Sequence, residues 1–417
     1  MLIPCIAALV GWFTNWLAVQ MIFYPIKFLG IPLFRVRDCP LGFIGWQGIV
    51  PCKTRKMSEA MVDMVMTQLV NIQEVFMRLE PRTVAKLLSP EVPNLIHGVM
   101  NDVSISASSP LRLITSLPST SLLYQNFLQS FTVSMQENIN SVLNLKNCVV
   151  NQMMLDRSLL GKLFQKVGQK DLDFLTNSGL WFGFILGIVQ MIVALFWDNP
   201  WSLSIGGCIV GYLTNWLALK WIFEPVEPTK FGPFTIQGQF LRRQSEVAAT
   251  FSEFFASKIL TSEKLWRSIL TDPTSSPAFT QLFSDHLQHF LHGITLGLPA
   301  MFYKDDFTRL AALKAVQRLP NHVHVLHSYV DEKLNLQHIL QTSMEKMSSA
   351  QFERVLHPIF EEDELTLIIA GGVLGFAAGL IQQGIETGKV KFIGPKEILL
   401  KIKSLLNRSC SMLRRQK

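Results

Sequence analysis

The chain is short of charge, of tyrosine and of paired cysteine. Only 17% of its 417 residues are Asp, Glu, Lys or Arg while 49% are hydrophobic. Soluble domains carry about a quarter charged residues, so an ordinary soluble enzyme does not account for the whole chain. The six cysteines, at positions 5, 39, 52, 148, 208 and 410, include no Cys-x-x-Cys pair. Neither a disulfide framework nor a standard zinc site follows from them. Ser-His-Asp arrangements, phosphate loops and dinucleotide fingerprints are missing too, so no cofactor is expected. The net charge of +7 does not indicate nucleic acid, because aromatic and basic residues do not interleave. The stretch 386–417 alone holds nine Lys/Arg against two acidic residues. A basic tail behind an apolar segment suits an anionic membrane surface.

Long apolar runs are what the chain does have. Residues 2–24 are apolar enough, and as a helix long enough, to cross a hydrocarbon core of about 30 Å. A signal peptide is the rival, but no Lys or Arg precedes the run and its motif recurs deep in the chain. Gly11 to Pro25 and Gly211 to Pro225 match at nine of fifteen positions without a gap, including Thr14-Asn15 and Thr214-Asn215. Further apolar runs cover 180–197 and 365–381, where Gly183 to Gln190 matches Gly375 to Gln382. These matches predict two parallel tandem repeats in an all-α membrane protein, each a transmembrane helix, a helical extramembrane domain and a returning Gly-rich helix.

The expected boundaries are a first span at 1–25, domain A at 26–179, a second span at 180–197, a third at 201–224, domain B at 225–364, a spanning or re-entrant segment at 365–385 and a basic amphipathic tail at 386–417. Asp198-Asn199-Pro200 leaves room only for a tight connection, which would put both domains on one side. Lys27, Arg35, Arg37, Lys162, Lys166, Lys170, Lys230, Arg242 and Arg243 flank the first three spans on that side and favour the cytosol. The tail votes the other way unless the last segment is re-entrant. Within the domains, Met57, Met61, Met64, Val65, Leu69 and Ile72 form one apolar stripe, Val247, Phe251, Phe254, Phe255 and Ile259 another, and Leu155, Leu159, Leu160, Leu163 and Val167 a third.

On a helix, Ala7, Gly11, Asn15, Ala18 and Ile22 share a face, as do Gly207, Gly211, Asn215, Ala218 and Ile222. Small residues allow close helix approach, and an amide in lipid needs a hydrogen-bond partner. Gly11, Thr14, Asn15, Gly211, Thr214 and Asn215 are therefore expected either to pack helices or to line a polar path. His286, His289 and His292 could place ligands on neighbouring helical turns, but their spacing misses the usual metal patterns, and no metal is expected. The order Gly-x-x-Thr-Asn-x-x-Ala, Phe-x-Pro, then Gln47-Gly48 or Gln237-Gly238 before basic residues, then a Gly-rich apolar segment, resembles a family of uncharacterised membrane proteins catalogued as domain of unknown function 445. The resemblance touches Phe23, Pro25 and Pro51 in the first copy and Phe223 and Pro225 in the second, where Leu241 stands in the place of Pro51. It implies an integral membrane protein with helical extramembrane domains and brings no activity with it.

A non-enzymatic, multi-pass integral membrane protein is the resulting expectation, serving as a scaffold or a lipid- or protein-binding module. It would be pseudo-dimeric within one chain, with membrane lipids and a protein on the domain side as partners, and without nucleic acid. A transporter or channel with a polar path at the Thr-Asn helices is the alternative, and a metal-dependent membrane enzyme the second.

Overall fold

A computed structural model describes residues 2–31, 38–42, 44–103, 120–196, 201–232, 234–294 and 305–386. The chain is predominantly helical, and the four longest helices among the described residues are α1 (Leu2–Phe23), α2 (Ser158–Phe196), α3 (Ser202–Phe223) and α4 (Ser349–Glu386). Each contains a stretch long and apolar enough to cross a membrane: Ile3–Phe23, Ser158–Val193, Ser202–Phe223 and Glu364–Gly384. At about 1.5 Å per residue, α2 and α4 far exceed a bilayer core. The polar residues at 165–173 and 361–364 therefore do not start new helices but interrupt the apolar character of continuous ones. The connection at 198–200 and the basic tail lie outside the described residues.

The chain divides into two compact units. One comprises Met1–Gln20, Lys170–Trp221 and the described part of Glu362–Lys417; the other comprises Met21–Gln169 and Ile222–Glu361. Of the stretches expected as separate domains, 26–169 and 225–361 fall in one helical unit, while 170–179 and 362–364 fall in the other. Among the described residues, five short strands also belong to the helical unit. They are β1 (Leu29–Ile31), β2 (Leu41–Gly42) and β3 (Ile44–Trp46), in the antiparallel order β1-β3-β2, and the pair β4 (Thr229–Phe231) and β5 (Phe234–Ile236). At two or three residues each they are too short to show a period-two pattern.

Cross-half packing holds the helical unit together. Phe127 and Phe131, on the helix Thr120–Glu137, meet Phe279 and Phe283 of Ser276–Ile294, with Phe131 5.8 and 5.2 Å from them in edge-on geometry. Such pairs are worth about 0.5–1.5 kcal/mol beyond their area. Arg318 forms a two-pronged pair with Asp102 at 2.7 and 2.8 Å, and a side chain at Gly98 would come within 2.7 Å of that guanidinium. Lys333 meets Glu80 at 2.9 Å, and Ser343 Oγ donates to the Leu69 carbonyl at 3.0 Å. That carbonyl ends a π-helical turn, Val65–Leu69, with a counterpart at Phe255–Ile259.

Burial follows most of the sequence stripes. Met57, Met61, Val65, Leu69 and Ile72 are buried, as are Val247, Phe251, Phe254, Phe255 and Ile259. The third stripe needs correction. Leu160, Leu163 and Val167 are buried, but Leu155 is 79% exposed because it ends a separate helix, Leu145–Leu155, ahead of α2. Asp156 separates the two and caps α2, its Oδ1 accepting from the Ser158 backbone at 2.9 Å.

Candidate functional site

The membrane-type unit is organised by two matching helix pairs. On α1, Ala7, Gly11, Asn15 and Ala18 are all buried, as periodicity demands. Asn15 donates from Nδ2 to the Leu175 carbonyl of α2 at 2.7 Å, and Asn215 donates likewise to the Leu367 carbonyl of α4 at 2.7 Å. Neither amide bonds the other; each takes a backbone acceptor on the returning helix. Thr14 and Thr214 turn inward to their own helices, donating to Gly11 O and Gly211 O at 3.1 Å. In the first pair Ser178 Oγ also donates to the Leu175 carbonyl, at 2.9 Å.

Glycine lets the backbones come this close. A Cβ at Gly11 would strike the Gly179 carbonyl, and one at Gly211 the Gly371 carbonyl. Added at Gly183 it would lie 2.6 Å from the Ala7 carbonyl, while at Gly375 it would strike that of Gly207. A Cβ at Gly179 would sit 2.8 Å from Asn15 Nδ2, and Gly371 faces Asn215 Nδ2 in the same way. Gly179 was missed by the sequence reading, although the register that pairs Gly183 with Gly375 also pairs Gly179 with Gly371 and Leu175 with Leu367. It pairs Asp171 with Asp363 as well. Asp171 is only 5% exposed, one helical turn before Leu175. The amide atom opposite each donor, Oδ1 of Asn15 and of Asn215, is buried without a hydrogen-bond partner among the described residues. A buried acceptor left this way costs about 1–3 kcal/mol.

The Gln-Gly motifs have a local structural job. Gly48 N–H donates to Pro25 O at 2.9 Å and Gly238 N–H to Pro225 O at 3.0 Å. Gln47 Nε2 donates to Ile26 O at 2.8 Å; Gln237 Nε2 donates to Val226 O at 3.3 Å and to Ser349 Oγ at 3.0 Å. A Cβ on Gly48 or Gly238 would lie 2.7 Å from the carbonyl carbon of Phe23 or Phe223. Both motifs therefore pin the turn after a long helix, and both prolines, Pro25 and Pro225, follow cis peptide bonds. Leu241 in place of Pro51 leaves this turn intact, since each sits within a four-residue helix, Ile49–Cys52 or Gln239–Arg242.

The histidines are dispersed. His286 lies 2.9 Å from Ser130 Oγ and against the rings of Phe127 and Phe131, while His289 is exposed and the side chain of His292 lies outside the described residues. His322 pairs with Glu91 at 2.8 Å, and His327 lies 3.3 Å from Ser262 Oγ. Among the described residues no three His, Cys, Asp or Glu side chains gather as a metal site would require. Burial lowers the His286 pKa, with exposed His289 a minor contributor. A base whose folded pKa is depressed binds fewer protons folded than unfolded, so stability rises with pH. We expect the helical unit to lose thermal stability as pH falls below about 6.5, the ordinary histidine value. His286→Gln should flatten that acid limb, as read by melting curves across pH 5 to 8; an unchanged limb would contradict the assignment. No family model, curated protein or solved structure matches the chain.

Proposed function

We propose that the chain is a multi-pass integral membrane protein of two parallel tandem repeats, with a non-enzymatic helical platform that binds a protein or lipid beside the membrane. One observation carries the reading: the asparagine of each Thr-Asn mark is engaged in helix pairing, Asn15 with Leu175 and Asn215 with Leu367, while Thr14 and Thr214 bond within their own helices. Polar contacts of this kind are common packing devices in membranes. Repetition of the carbonyl bond, the glycine contacts and the Gln-Gly turn supports a duplicated unit. The lipid-facing requirement is also met: Leu9, Phe13, Trp181, Ile185, Val189, Ile209, Trp221, Ile369 and Val373 are exposed on the four long helices, as an apolar solvent would allow. Purified protein incubated with membrane lipids should return them unchanged. Lipid turnover that disappears in a His286→Gln, His289→Gln variant would overturn the platform in favour of an enzyme.

A second reading, transport, is favoured by the unpartnered Oδ1 atoms of Asn15 and Asn215. Buried acceptors within spans are suited to a passing cation or hydrogen-bond donor. The double variant Asn15→Leu, Asn215→Leu separates the two. On the platform reading it loses about 1–2 kcal/mol of stability per site and shows no flux difference in proteoliposomes. Solute flux present in the parent and abolished in the variant, with the protein still folded, would establish transport.

A further inference from the structure

Two serines in the chain follow a pair of adjacent basic residues with one residue between: Ser58 in Arg55-Lys56-Met57-Ser58 and Ser245 in Arg242-Arg243-Gln244-Ser245. Paired cations at that distance from a hydroxyl are complementary to an enzyme that approaches with an acidic groove. The structure separates the two serines. Ser58 is fully buried and donates to the Thr54 carbonyl of its own helix. Ser245 is exposed in the first turn of the helix Gln244–Phe254, and Arg242 is exposed just before it. Helix ends fray, so Ser245 lies where a short stretch of backbone can be presented.

The groups around Ser245 form a clasp. Its Oγ donates to Glu345 Oε1 at 3.0 Å, and Gln341 Nε2 donates to the same oxygen at 3.0 Å. These bonds, that of Gln341 first, hold the Glu345 carboxyl below its usual range, so it is an anion at neutral pH. Gln244 Nε2 donates to the Met344 and Met347 carbonyls at 2.8 and 2.9 Å. Gln244 and Ser245 thus hold the end of the helix Leu336–Glu345, which only Lys346, Met347 and Ser348 separate from the start of α4. Arg243 makes a two-pronged pair with Glu246, at 3.1 Å from both Nε and Nη2. The first half carries a different group at this point. The register of Gln47-Gly48 with Gln237-Gly238 sets Arg55 against Ser245, and Arg55 pairs with Glu59.

We propose that Ser245 is a phosphorylation site for a protein kinase with an acidic substrate groove, and that the phosphate loosens the corner ahead of α4. In the transfer, Ser245 Oγ bonds to the γ-phosphorus of ATP as the bond from that phosphorus to the β–γ bridging oxygen breaks. ADP leaves, and the hydroxyl proton passes to the base of the kinase. The phosphoserine carries a charge of about −1.5 to −2 at neutral pH and no hydroxyl donor. Its bond to the Glu345 carboxylate therefore becomes a repulsion, while Arg243 exchanges Glu246 for the phosphate oxygens. A kinase reaches the site when the helical unit faces ATP, as the basic flanks of the spans favour.

The test uses the full chain in detergent, treated with ATP and the catalytic subunit of cyclic-AMP-dependent protein kinase. Peptide mapping should find phosphate at Ser245 and none at Ser58. Arg242→Gln should slow the modification of Ser245 about tenfold or more, and Ser245→Ala serves as the blank. No phosphate at Ser245 in the folded chain overturns the site, and so does an unchanged rate in Arg242→Gln. Backbone hydrogen exchange then reads the consequence. Amides 346–349 should exchange several-fold faster in the phosphorylated chain, and Glu345→Gln, which removes the repelling charge, should abolish the increase. Equal exchange with and without phosphate, or the same increase in Glu345→Gln, overturns the loosened corner. Neither measurement requires a bilayer, so this proposal and the membrane reading above fail separately.

Discussion

Gly11→Leu together with Gly211→Leu is expected to prevent the folded protein from accumulating. At both positions a side chain would run into a backbone carbonyl, that of Gly179 or Gly371, and a backbone cannot rotate away as a flexible side chain can. Overpacking a core costs about 1–3 kcal/mol per site where neighbours can adjust. Here the helices must separate, which also stretches the bonds from Asn15 to Leu175 and from Asn215 to Leu367. Two such sites remove a large share of a total stability of about 5–15 kcal/mol. Size-exclusion profiles and melting curves in detergent provide the measurement. Gly168→Ala is the control, since its Cβ would meet nothing within 4 Å and alanine favours a helix by up to about 1 kcal/mol. Equal melting of the leucine variant and the parent would mean that these helices do not pair through glycine.

Severing the chain at the connection between α2 and α3 is expected to leave the first half unable to fold alone. Phe131 depends on Phe279 and Phe283 for its burial, Asp102 on Arg318 and Glu80 on Lys333. A first half made by itself would expose the phenylalanine cluster and lose these pairs, and should aggregate. Expressing both halves together should restore a complex that co-purifies and melts as the intact chain does. In that chain Phe131→Ala should cost about 3–5 kcal/mol, the usual range for a large aromatic removed from a core. A monomeric first half with its own cooperative melt would contradict this dependence.

Much of the membrane-type unit was legible in the sequence, because apolar length and small-residue spacing are local signals. The spans near 2–24, 201–223 and 365–381 coincide with parts of α1, α3 and α4, and the Ala7, Gly11, Asn15, Ala18 face is buried as helical period requires. The acceptors were hidden. Leu175 and Leu367 act through backbone carbonyls, which every residue carries, so no side-chain pattern marks them. The early starts of α2 and α4 were obscured by charged stretches such as Gln165 to Asp173, which resemble a domain's surface. The three-residue strands gave no alternation to read. Cross-half packing was invisible for another reason: Phe131 and Phe279 are ordinary core residues, and no single sequence says which core residue meets which.

The interlocked phenylalanines also set a timetable for synthesis. Phe131 leaves the ribosome about 150 residues before Phe279 and Phe283, an interval of roughly 8–30 s at about 5–20 residues per second. Throughout it the nascent first half carries an uncovered aromatic surface. Chaperone engagement in that window, and ribosome pausing that lengthens it, should therefore govern the yield of this protein.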